Sequence, residues 1–117
     1  MTYSLEDLEL LWATYEFHAK YISDLESEHI SYIKKSKNSE IVPIKSNVDC
    51  CNKLIKGYQK NIESVEDLIH AYTFFNLNGI AIPAEREIDL ADLRKLTGLS
   101  RKLIAELTLY KNRITKN

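Results

Sequence analysis

At 117 residues the chain can bury one hydrophobic core but not two ordinary ones, and 44% apolar with 28% charged residues is the balance of a water-soluble globular protein. A formal net charge of −1 excludes a uniformly basic surface, and no stretch approaches the roughly 20 apolar residues of a membrane span. Three glycines and two prolines supply too few turn signals for a strand-rich fold, so the sequence reads as mainly α, a single domain built as a bundle of about five helices.

Ser4 followed by Asp7 resembles a capping box, and Leu5, Leu8, Trp12, Tyr15, Ala19 and Ile22 then recur at steps of three and four. The spacing predicts one long helix over residues 4–35. Leu11, His18, Leu25 and Tyr32 add a second stripe at seven-residue intervals, which calls for a partner on a second side of the rod. Residues 36–46 read as a polar linker with a short apolar tether, Ile41-Val42-Pro43-Ile44, in which Pro43 stops any helix.

A helical core is expected over residues 47–78, in two pieces. Ser46 or Asn47 caps the first, whose buried stripe is Val48, Cys51, Ile55, Tyr58 and Ile62, with Gly57 marking a close helix crossing. Ser64 with Asp67 caps the second, buried through Val65, Leu68, Ile69, Tyr72 and Phe75, and Asn78-Gly79 ends it. Residues 79–83 are extended, with at most a short strand near Ile80 and Ile82. Asp89 caps a helix over residues 90–97, Gly98 makes a corner, and Ser100 caps a last helix whose inner side is Leu103, Ile104, Leu107, Tyr110 and Ile114.

The segment over residues 89–114 resembles the helix-turn-helix family of DNA-binding modules. The likeness spans residues 90–109 and rests on Leu93, Gly98 in the turn, Leu99, the capping Ser100, and Ile104 and Leu107. The string TGLSRK also looks like turns in winged-helix repeats, including those of the selenocysteine-specific elongation factor, which bind RNA. The resemblance implies that the helix from Ser100 reads the major groove. It makes Lys95, Ser100, Arg101, Lys102 and Ala105 the nucleic-acid contacts. Arg94 stands where that family usually carries a small residue, and Leu109 lies in the middle of the presented face.

Charge falls in blocks. Residues 1–33 hold seven acids against Lys20; residues 34–60 hold seven lysines against Glu40 and Asp49. Residues 61–89 are acidic again, and residues 90–117 carry seven cations against Asp92 and Glu106. Such alternation reads either as neutralisation between elements or as a basic face aimed at a polyanion. Cys50 and Cys51 are neighbours whose helical side chains point about 100° apart, so they read as reduced packing residues of an intracellular, cytoplasmic protein. His18, His29 and His70 form no metal-ligand spacing, and the glycines stand alone rather than in a phosphate-cradling loop. No enzyme, metal or cofactor is expected.

Two functions remain. One is a small DNA-binding transcriptional regulator of the bacterial, phage or plasmid kind, dimeric through its first helix. The other is a non-enzymatic helical protein-interaction module, an adaptor or inhibitor binding a protein partner. For either, the expected dimer or partner interface is Leu11, Trp12, Tyr15, His18, Leu25 and Leu109.

Overall fold

The computed structural model describes residues 2–37 and 44–115, apart from the side chains of 29–47 and 114. Among the described residues the chain is mainly α, with three long helices rather than about five: α1 (Leu5–Lys37), α2 (Ile44–Leu77) and α3 (Leu90–Thr115). They form a rod of 57 × 22 × 20 Å, its length set by helices that rise about 1.5 Å per residue.

The first helix begins as its sequence dictates. The Asp7 amide donates to Ser4 Oγ at 3.1 Å, and the Ser4 amide donates back to Asp7 Oδ2 at 2.8 Å, closing the capping box. The linker is shorter than predicted, because residues 36–37 still belong to α1 and residues 44–46 already belong to α2. The tether residues Ile41, Val42 and Pro43 lie outside the described residues.

The two expected core helices are one. Ser64 does not cap; it sits inside α2, buried, and its hydroxyl donates to the Lys60 carbonyl at 3.0 Å. With neither glycine nor proline between Tyr58 and Leu77, nothing breaks the backbone there. Gly57 does mark a close crossing, since a Cβ on it would stand 2.5 Å from Ile22 Cδ1. At the far end Gly79 takes φ 62°, the Ile80 amide donates to the Phe75 carbonyl at 2.9 Å and the Gly79 amide to Asn76 at 3.4 Å. That pair of bonds is a Schellman stop. The stretch through Ile80 and Ile82 is not a strand; among the described residues it is a loop leading into a single 3-10 turn, Ala84–Arg86.

Asp89 opens α3 as expected, its Oδ1 accepting from the Ala91 amide at 2.9 Å. The helix then runs unbroken through Gly98, which has no positive φ. The corner at Gly98 is absent. Glycine permits a left-handed turn but does not impose one, and Leu93 and Thr97 before it and Ser100 after it are buried along one straight helix, while Leu96 and Leu99 stay exposed.

Two hydrophobic clusters stack along α2. One joins Leu8 of α1 and Leu93 of α3 to Val65, Leu68, Ala71, Tyr72 and Phe75. The other joins Ile22 and Leu25 to Leu54 and Tyr58, with Leu103, Ile104 and Leu107 of α3 packed against them. The outer helices therefore both lean on the middle one, and the core is shared by all three.

Candidate interaction surface

The residues expected to contact nucleic acid are dispersed around a straight helix. Ser100 is 5% exposed and receives the Asn61 Nδ2 at 3.5 Å, so its hydroxyl faces α2 instead of a phosphate. Arg101 is outside, yet its guanidinium is engaged: Nη2 donates to Glu66 Oε1 at 2.7 Å. Lys95, Lys102 and Ala105 are exposed, and Lys95 sits 3.7 Å from Asp92 of its own helix. Of the expected inner side of α3, Leu103, Ile104 and Leu107 do pack on the core and Tyr110 is half-buried, whereas the side chain of Ile114 lies outside the described residues. What fails is the turn that would have projected a helix N-terminus from the body.

The expected partner interface also moves. Leu25 is buried, and Leu11, Trp12 and Tyr15 pack against the chain's own core. The Trp12 indole N–H donates to the Tyr72 hydroxyl at 2.9 Å, and that hydroxyl donates in turn to the Arg86 carbonyl. Arg86 forks onto Glu9 at 2.9 and 2.8 Å, approaches Glu16 at 3.8 Å and lies 5.3 Å from the Trp12 ring centroid. The hydrogen bonds from Arg86 hold the Glu9 carboxyl below its usual range, and Glu9 strengthens the protonation of Arg86. This cluster staples the 3-10 turn to α1 and neutralises part of the first acidic block from within. Of the expected interface only Leu109, 65% exposed, stands fully free of the core, with His18 half-buried.

A different stripe of α1 lies open. Leu10, Phe17 and Tyr21 are 67%, 68% and 48% exposed. With Thr14 they are spaced four, three and four apart, so they line one side of the helix. The signal was present in the sequence, but a rod with apolar residues on several sides does not say which side its neighbour takes. Beside Phe17 and Tyr21 a groove of about 420 Å³ runs between α1 and α2, with Gly57 at its floor and Lys53, Lys56 and Lys60 along its far wall. The His18 and Phe17 rings meet edge to face at 5.5 Å within it. Sequence reasoning assigned no role to these lysines, because the block they belong to is followed at once by acids on the same helix.

Other chemistry is muted. Burial raises both cysteine thiols above their usual range, with Glu28 adding to the effect at Cys50, so neither is primed as a thiolate nucleophile. No cluster of three histidine, cysteine or acidic side chains suited to a metal occurs among the described residues. A second hollow, of about 560 Å³ beside Tyr72, Asn76 and Glu87, brings together no nucleophile and base. Among the described residues no helix is long and apolar enough to cross a membrane. No protein-family model, characterised protein or solved structure matches the chain.

Proposed function

We propose that the chain is a non-enzymatic helical module that binds another protein through the open stripe of α1. One observation carries the reading: Leu10, Phe17 and Tyr21 remain exposed in a row on a helix whose opposite side is fully used by the core. Large aromatics in a contiguous exposed row are what protein interfaces are built from, and they are a liability on a surface with no partner. The gene-regulator reading has less to stand on, since α3 projects no recognition helix and Arg101 is paired to Glu66.

The test places a photo-reactive benzoylphenylalanine at Phe17 or at exposed Gln59 in the native host. Discrete protein adducts are expected from position 17 and not from 59, and they should vanish when Leu10 and Tyr21 become serine. Equal labelling at both positions, together with a duplex-DNA gel shift abolished by Lys95→Ala/Lys102→Ala, overturns the reading in favour of DNA.

A further inference from the structure

Resting on that reading, we infer that the groove between α1 and α2 receives an acidic amphipathic helix from another protein, its apolar side on Phe17 and Tyr21 and its carboxylates against Lys53, Lys56 and Lys60.

Three features of the site combine. The exposed row on α1 has the four-three-four rhythm of a helix–helix seam, and Leu10 to Tyr21 spans roughly 16 Å, about three helical turns. The groove is an open channel between two antiparallel helices, the shape into which amphipathic helices lie. Its far wall is cationic: the three lysines stand three and four residues apart on α2, exposed, and none has an ion-pair partner among the described residues. Like charges at that spacing repel along a helix. Arg86 and Arg101, by contrast, are paired within the chain, with Glu9 and Glu66. Among the described residues no carboxylate pairs with these three lysines, and a row of external carboxylates supplies the missing charge.

A second copy of the chain is the poorer occupant. The Ile22–Gly57 contact sets the lysine row level with residues 19–26 of α1. Antiparallel two-fold pairing of two α1 helices across the stripe sets each lysine row level with residues 5–12 of the partner's α1, where Glu9 is already paired with Arg86 and Asp7 is held in its capping box, leaving Glu6 alone to answer three cations. Parallel pairing sets each row level with the partner's Lys20, Asp24 and Glu26, one base and two acids, of which Glu26 already accepts a hydrogen bond from Tyr58. Neither pairing neutralises three cations.

The test uses synthetic helical peptides of roughly 18 residues with leucines alternating at four and three, their flanks filled with glutamate, glutamine or lysine. Binding to the full chain is followed by fluorescence anisotropy at about 50 and 300 mM salt. The glutamate peptide should bind best and weaken with salt. Lys53→Glu/Lys56→Glu/Lys60→Glu should weaken it about tenfold or more while improving the lysine peptide, a gain that misfolding cannot produce. Phe17→Ser should weaken all three.

Equal binding of glutamate and glutamine peptides, or indifference to the lysine triple change, overturns the acidic assignment; if adducts at position 17 persist, the interaction reading survives it. Absence of any peptide binding overturns the assignment as well. An oligo-dT of about 15 nucleotides that outcompetes the glutamate peptide through the same lysines makes the groove a single-strand nucleic-acid site and overturns it too. A concentration-dependent dimer lost on Phe17→Ser gives the groove to a second copy, and the acidic partner helix is then equally ruled out.

Discussion

The three glycines make a compact experiment, because replacing each by alanine should act with a different sign. Gly98 lies exposed in the interior of α3 with ordinary helical dihedrals, and a Cβ there meets nothing within 4 Å. Alanine recovers the helix propensity that glycine forfeits, about 0.8–1 kcal/mol, with no packing cost. For a domain of this size that raises the melting temperature by roughly 3–5 °C. Gly57 is equally helical, but its new methyl would lie 2.5 Å from Ile22 Cδ1. The isoleucine must leave its rotamer, at about 0.5–1.5 kcal/mol, so the propensity gain is cancelled. Gly79 has open space around it but φ 62°, which costs an L side chain about 1–2 kcal/mol. Urea unfolding followed by circular dichroism at 222 nm reads all three. A Gly98→Ala chain that loses stability as Gly79→Ala does would restore the helix-turn-helix corner and refute the straight α3.

Four further outcomes are expected. Tyr72→Phe strands the Trp12 indole N–H and the Arg86 carbonyl, costing about 1–3 kcal/mol by urea titration. Leu68→Ala, at a site with no exposure, should cost about 2–5 kcal/mol in the same assay; a smaller loss would mean the core collapses around the gap. Because Glu9 has its folded pKa held below the ordinary 4.5, its pairing with Arg86 stabilises above that pH and the benefit is lost as pH falls through the folded value. The stability gap between the native chain and Arg86→Gln should therefore shrink on acidification below pH 4.5, and parallel curves would contradict the pairing. Tyr58 behaves oppositely: burial and its 2.6 Å hydrogen bond to Glu26 raise the phenol above the usual 10, so its contribution is whole below that pH and drains as pH rises past it. Tyr58→Phe should flatten the alkaline loss of stability, with tyrosinate absorbance showing one fewer late-titrating ring.

Much of the architecture was legible because it is local. The Ser4–Asp7 box, the Asp89 cap and the Asn78-Gly79 stop each depend on a few neighbouring residues, and each forms as its sequence indicates. The inner face of α3 was likewise readable from its leucine spacing. Errors arose where a local signal was permissive. Ser64 with Asp67 has the composition of a cap, and Gly98 with Leu99 and Ser100 that of a turn, yet a serine inside a helix can donate to the carbonyl four residues back and a glycine can remain helical. Whether a helix ends at such a point is decided by what lies across from it. Burial of Val65, Leu68 and Tyr72 in α2, and of Leu93, Thr97 and Ser100 in α3 with Leu103 and Leu107 half-buried beyond them, favours the unbroken rods.

By itself the sequence determined that the chain is helical, where its firm caps and stop fall, and that charge would segregate along it. Only the tertiary structure decided which of the several apolar sides of α1 meets α2. That choice put Leu11, Trp12, Tyr15 and Leu25 inside and left Leu10, Phe17 and Tyr21 outside. Periodicity tells which residues share a side of a helix, but neighbouring sides differ by a rotation of a few tens of degrees. The packing of Ile22 against the bare backbone of Gly57 sets that rotation, and with it the line of lysines that faces the open aromatics.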